Sequence, residues 1–215
     1  MNYYQLNIFD FFIIYTIIYF GDKMNKLKIK DLTLMGLFLA ILIVASKISF
    51  QIGPIPITLQ TLSLALIGLI LGPYKGVIVV LIYLVMGLIG IPVFSQGGGF
   101  DYIFKPSFGY IIGFIPMILL IGIGRNFNNK SMKYLFSIFG LIIDYIFGVI
   151  YMYLIMKYYL DINKDIIELI NLGVLPFILK DFLSIILASV VYERLNVFIN
   201  NEDKNMDIKY NKELF

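Results

Sequence analysis

Six stretches of the chain, roughly 32–50, 58–72, 76–91, 109–124, 134–156 and 174–195, are apolar over most of their length and carry almost no charge. A helix that crosses the hydrocarbon core of a bilayer needs about 20 such residues. Lipid offers no partner to a free peptide group, so only helices and closed barrels cross it. These runs lack the strict alternation of barrel strands, so strands are not expected in them. The reading is an all-α membrane protein with six transmembrane helices. Composition points the same way. Hydrophobic residues make up 60% of the 215 and charged residues 14%, against about half and about a quarter in an ordinary globular domain. A soluble monomer this small has too little interior to hide that much apolar surface.

Breaks in the pattern place the turns. Pro54 and Pro56 separate the first run from the second, and Pro92 ends the third. Gly72 and Pro73 divide the second from the third, with Tyr74 and Lys75 leaving room only for a tight turn. Gly124, Asn126, Asn128 and Asn129 open the turn between the fourth and fifth. With the start of the first helix inside, the inner side holds Lys23, Lys26, Lys28, Lys30, Lys75, Arg125, Lys130, Lys133, Arg194, Lys204, Lys209 and Lys212. The outer side holds Lys47, Lys105, Lys157, Lys164 and Lys180. That asymmetry, twelve of the 17 basic residues against five, predicts that both termini are cytoplasmic.

Three regions follow. Residues 24–196 form the six-helix membrane domain, and 197–215 a polar cytoplasmic tail, partly unstructured. Residues 1–23 are an extension of doubtful standing. Its apolar stretch, Phe9 to Phe20, is too short to span, and no basic n-region or small-residue cleavage site marks a signal peptide. The native start is expected at Met24. The rival reading is an interfacial helix, and N-terminal sequencing of protein from its own host separates them.

Missing residue types exclude chemistries. Without Cys there is no thiol nucleophile, disulfide or zinc-thiolate site, and without His the usual neutral-pH proton carrier and commonest metal ligand are absent. No Gly-x4-Gly-Lys-Ser/Thr run supplies a P-loop. The net charge of +3 is spread around apolar segments, unlike the concentrated basic face of a nucleic-acid binder. No metal site and no catalytic residue is expected.

Candidate binding residues gather on the outer side. The connection Gln51 to Gln60 is apolar and rich in proline. Either it packs over a ligand or it is a buried turn joining two helices. The connection Pro92 to Phe108 contains Gly97, Gly98 and Gly99, followed by Phe100. Glycines allow close backbone approach and aromatics offer flat apolar faces, which suits a lid over a small molecule. A flexible linker is the alternative. Gln60, Gln96 and Tyr110 sit on the same side, and Tyr83 lies mid-segment, where core packing competes with ligand contact.

Ionisable groups inside spans are costly and default to functional hypotheses. Asp144 lies in the fifth segment, and Lys180 and Asp181 in the sixth. Helical spacing puts Lys180 and Asp181 on one stripe with Ser184. A carboxylate there accepts N–H bonds and an ammonium donates to a carbonyl, the complement of a cyclic urea. A structural Lys–Asp pair between helices is the alternative. Small residues recur at four-residue spacing: Gly68, Gly72 and Gly76; Gly109 and Gly113; Gly36 and Ala40. Such spacing lets helices approach closely, inside the bundle or against another membrane protein. Gly36 and Ala40 are the candidates for docking.

Several of these residues carry a family resemblance. Gly53-Pro54-Ile55-Pro56-Ile57-Thr58-Leu59-Gln60-Thr61, Leu71-Gly72-Pro73, Tyr83, Gly87 to Phe94, and Gly109-Tyr110-Ile111-Ile112-Gly113-Phe114 resemble the BioY family in the family's order. The similarity runs from about Lys28 to Leu195. It implies a biotin-binding S component of an energy-coupling factor transporter. The partners it implies are a transmembrane coupling (T) component and two cytoplasmic ABC ATPases. It implies no cofactor of the chain's own, since biotin is cargo and ATP is used by the partner subunits. The family's Pro-Thr-Gly-Gly-Tyr is similar to Pro106-Ser107-Phe108-Gly109-Tyr110, with Phe108 in place of glycine. Its Gly-Asp-x-x-Lys resembles Lys180-Asp181-Phe182-Leu183-Ser184, with Ser184 in place of lysine. Asp181 therefore inherits the family's ureido contact, and Lys180, one turn before Ser184, is expected to deliver the missing ammonium. Three rivals remain: an S component for another small vitamin, an intramembrane enzyme using Asp144 and Asp181, and a purely structural membrane subunit.

Overall fold

The computed structural model describes residues 27–213, and side chains through Leu195 except that of Ile52. The extension 1–23 lies outside the described residues. The first helix, α1 (Ile29–Lys47), starts where the Lys28 amide donates to the Asp31 carboxylate at 3.2 Å. A carboxylate in the first turn also favours the positive end of the helix dipole.

A hairpin forms the apolar, proline-rich connection that follows. Strands β1 (Ser49–Ile52) and β2 (Ile55–Thr58) pair antiparallel, with Ser49 opposite Thr58 and Ile52 opposite Ile55. The first helix therefore stops at Lys47, short of the expected 50. The reason is local: Gly53 takes the left-handed conformation (φ 68°) in a two-residue turn with Pro54, which suits the twist of paired strands. β-Branched isoleucines on either side favour the extended chain.

Helix α2 (Gln60–Leu88) consists of two helical arms that meet at a sharp kink. Gly72 is non-helical (φ 78°, ψ −177°) and Pro73 follows it. An unbroken helix would separate Gln60 from Tyr83 by about 34 Å. Instead the Gln60 amide donates to the Tyr83 hydroxyl at 3.0 Å. The two arms thus fold back on each other at the Gly72–Pro73 turn, as the sequence predicts. Pro73 suits the first turn of the second arm, where its missing N–H costs nothing.

The chain then forms a loop with a short 3-10 helix (Phe100–Phe104), followed by α3 (Phe108–Gly124) and α4 (Lys130–Tyr158). Asn129 caps α4 by accepting from the Ser131 amide at 2.9 Å. A helix not foreseen in the sequence, α5 (Ile166–Gly173), precedes α6 (Leu175–Glu213). Helix α6 extends the sixth apolar run, and its backbone stays helical through most of the segment expected to be a partly unstructured tail.

Among the described residues, four helical stretches are long and apolar enough to cross a membrane: Ile29–Lys47, Gln60–Leu88, Lys130–Tyr158 and Leu175–Leu195. Helix α3 is shorter and equally apolar. It packs between α2 and α4, the centre of the bundle. Glycines make this possible. A Cβ on Gly68 or Gly76 would strike Ile121 or Ile118, and one on Gly140 would crowd Met117. Gly36 behaves differently: no atom lies within 4 Å of its missing Cβ, and both it and Ala40 face outward.

The bundle has two distinct ends. At one, Lys75 pairs with Asp31 at 2.6 Å, and Arg125 donates to the Ile70 carbonyl at 2.7 Å. At the other, the hairpin and the glycine loop meet. Lys47 donates to the Phe94 carbonyl at 2.6 Å, and the Gln96 amide to Gln51 at 2.8 Å.

Candidate ligand-binding site

The hairpin end holds a small, partly open cavity of about 50 Å³ between the helices. Ile55, Pro56 and Thr58 of the hairpin border it, with Gln60 and Thr61 from the start of α2. Ser95, Tyr102 and Ser107 come from the loop, and Tyr110, Ile111 and Phe114 from α3. Asp144 and Tyr145 of α4 and Phe177, Lys180 and Asp181 of α6 complete the wall.

The lining mixes aromatic and charged side chains: Tyr145 follows Asp144 on α4, and Phe177 lies one turn before Asp181 on α6. Asp181 is 3% exposed. Its Oδ2 accepts from the Tyr145 hydroxyl at 2.7 Å. Its Oδ1 lies 2.5 Å from the Lys180 ammonium, yet no donor is aligned with it. Lys180 spends a proton elsewhere, donating to the Thr58 carbonyl at 2.7 Å. Asp144 is 5% exposed, and its Oδ1 has no hydrogen-bond partner. Gly113 makes room for it, because a Cβ there would overlap the Asp144 carboxylate. Buried polar atoms are normally hydrogen-bonded. Asp144 Oδ1 is thus a buried carboxylate oxygen without a hydrogen-bond partner, while Asp181 Oδ1 is ion-paired with Lys180.

Neighbouring groups hold the wall in place. The Tyr110 ring fills a slot that a Cβ on Gly148 or Gly173 would close, and its hydroxyl donates to the Gly173 carbonyl at 2.9 Å. Gln60 accepts from the Thr58 hydroxyl at 3.0 Å and donates to Tyr83, whose own hydroxyl donates to the Val93 carbonyl at 3.2 Å.

The structure brings Gln60, Tyr110, Asp144, Lys180 and Asp181 together on the cavity. Tyr83 is fully buried behind Gln60 and does not border the space. Ser184 does not border it either; its hydroxyl turns back to the Lys180 carbonyl at 2.8 Å. Gln96, Gly97, Gly98, Gly99 and Phe100 stand outside the lining. Phe94 anchors their loop beneath Tyr83, with ring centroids 5.3 Å apart, and the Gly99 amide donates to the Gly87 carbonyl at 2.7 Å. The flanks of the loop, Ser95 and Tyr102, reach the cavity instead.

Sequence reasoning missed Tyr145, Thr58, Tyr102 and Phe177. Tyr145 is one of 16 tyrosines, and its neighbour Asp144 was the only signal near it.

A bundle of apolar helices around a cavity bordered by two buried carboxylates and an ammonium defines a polytopic membrane protein with a polar pocket between its helices. The chain belongs to the BioY family, whose model matches residues 22–201. It is 40% identical over 170 residues to a probable biotin transporter BioY of Pyrococcus horikoshii, covering 79% of this chain and 98% of that one. It is 32% identical over 168 residues to the biotin transporter BioY of Thermotoga maritima, covering 77% and 95%. Among solved structures, it matches the S-component for biotin from an ECF-type ABC transporter with a TM-score of 0.68 and 29% identity, over 78% of this chain and 91% of that one.

Proposed function

We propose that this protein is the biotin-capturing S component of an ECF-type transporter. The observation that carries the reading is the placement of two buried carboxylates, Asp144 and Asp181, with the Lys180 ammonium on one cavity. A ureido ring presents two N–H donors and one carbonyl acceptor, so each group finds its complement. The aromatic side chains of Tyr102, Tyr110 and Phe177 suit the fused rings and the aliphatic chain. The family supports the choice of biotin, as do the names of its relatives.

In this reading biotin enters from the hairpin end, which faces outside. Gln60 and Tyr110 brace the pocket. The loop at Gln96–Phe100 covers the valerate end, and Ser184 supports Lys180 from below. The reversal of α2 at Gly72 supports six crossings in total, and the basic asymmetry favours cytoplasmic termini. The protein resides in the plasma membrane of a prokaryote. A transmembrane T component docks on the outward face of α1 around Gly36 and Ala40, where Leu32, Leu37 and Val44 are also exposed. Two cytoplasmic ABC ATPases supply ATP hydrolysis, and the chain needs no cofactor. It is a transporter subunit, not an enzyme. Phe108 and Ser184 favour one alternative, an S component for a related small vitamin, since both depart from the family's pattern.

Isothermal titration of the purified protein in detergent tests the proposal, with biotin, desthiobiotin and riboflavin as ligands. Biotin is expected to bind well below micromolar, and riboflavin not at all. Asp181→Ala is expected to weaken biotin at least tenfold, about 1.4 kcal/mol or more, in the range of a lost charge-assisted hydrogen bond. Micromolar or weaker biotin binding, or tighter binding of riboflavin, would hand the site to the alternative.

A further inference from the structure

The Asp181 carboxylate is buried, but the helix that carries it does not fix its plane. A carboxylate rotates about its Cβ–Cγ bond in a broad, shallow profile. Lys180 is close, yet it is the preceding residue on the same helix, sits on a flexible arm, and aligns no hydrogen bond with Oδ1. The group that reaches this carboxylate from another helix is the Tyr145 hydroxyl, which donates to Oδ2 at 2.7 Å. An O–H···O⁻ bond of this kind is short and directional.

Tyr145 is itself held in place. It borders the ligand cavity on one side and an apolar groove between α4, α5 and α6 on the other, and it is the one residue common to both linings. Ile142, Ile146, Val149, Val174 and Ile178 line that groove with it. The ring is therefore packed against hydrocarbon while its hydroxyl points inward. The preceding residue, Asp144, presents a buried carboxylate oxygen without a hydrogen-bond partner from the same turn of α4.

We propose that Tyr145 is a positioning residue for ligand recognition. By holding Oδ2 of Asp181 it fixes the plane of that carboxylate at the edge of the cavity, beside Asp144. One turn of α4 thus sets the geometry of both acceptors, one through its own carboxylate and one through the tyrosine's grip on α6. The ligand class this selects is a planar group with two N–H donors. The Tyr145 hydroxyl proton is committed to Asp181, so its effect on the ligand runs through that carboxylate. The inference rests on the proposed reading of the site.

The test compares wild type with Tyr145→Phe, Asp181→Ala and the double variant, as full-length protein in detergent. Titrations use biotin and biotin methylated on one or the other ureido nitrogen, with thermal unfolding measured in parallel. Tyr145→Phe keeps the ring and removes only the hydroxyl. It is expected to weaken biotin about tenfold, as for one lost hydrogen bond to a charged group, and to shrink the preference for biotin over its methylated forms. In the Asp181→Ala background the same change is expected to have no further effect, since coupled residues fail to add. A merely structural strut would weaken all three ligands equally and lower the melting temperature, and that result overturns the inference. So does wild-type behaviour of Tyr145→Phe while Asp181→Ala is impaired, which leaves the reading of the site standing. Unimpaired binding by Asp181→Ala instead removes that reading and the inference together.

Discussion

Lys180 illustrates how a substitution in one place can be answered in another. Position 184, where the family pattern has lysine, holds a serine whose hydroxyl is tied to its own helix. The Lys180 ammonium stands one turn away, beside Asp181, and also reaches the hairpin through the Thr58 carbonyl. Lys180→Ala is expected to weaken biotin binding severalfold by titration, since it strips a buried carboxylate of its counter-charge. Ser184→Ala is expected to change it little, because the lost bond is local to the backbone. The packing residues have equally sharp expectations. Gly148→Ala would push a methyl into the Tyr110 ring, and overpacking of this kind costs about 1–3 kcal/mol, read as a lower melting temperature. Charges were legible in the sequence because few occur in the spans: Asp144, Lys180 and Asp181 stood out. Tyr145 was not legible, because a tyrosine in an apolar helix looks like core until its hydroxyl is seen to reach another helix.

The elements show where local patterning suffices and where it does not. The Gly72–Pro73 turn was readable from two residues, and its conformation explains why. Gly72 has φ 78° with ψ −177°, a region nearly closed to side chains. Gly72→Ala is expected to destabilise the protein by about 1–3 kcal/mol, measured by thermal unfolding in detergent, with the paired arms of α2 as the part that loosens. The hairpin was not readable. Gly-Pro-Ile-Pro-Ile lacks the alternation of a half-exposed strand, because one strand packs over the cavity and the other faces outward. Helix α5 escaped notice because its eight residues fall within a loop-like stretch and leave no spanning signature. The glycine loop was read as a lid from composition. In the fold, Phe94 is buried at its base, and Ser95 and Tyr102 carry its contact with the cavity.

At the level of the molecule, exposure of apolar residues is the organising fact. Leu32, Leu37, Val44, Phe139, Ile150 and Leu183 all point outward, as lipid allows and water would not. Not every outward face is equivalent. The α1 surface combines exposed Gly36 and Ala40 with no atom near the glycine, a shape that admits a second helix at close range. Gly36→Leu together with Ala40→Leu is expected to leave biotin titrations unchanged and to abolish co-purification with the coupling component. Retained co-purification would move the docking surface elsewhere. The sequence by itself determined that this chain lives in lipid, where it turns at Gly72, and which charges are too expensive to be incidental. These follow from transfer free energies and backbone sterics, which act residue by residue. Only the tertiary structure decided which small residues pack inward, that Ser184 stands off the cavity while Lys180 reaches it, and that Tyr145 grips Asp181. Those outcomes depend on side chains meeting across helices far apart in sequence, and no local pattern encodes which two will meet.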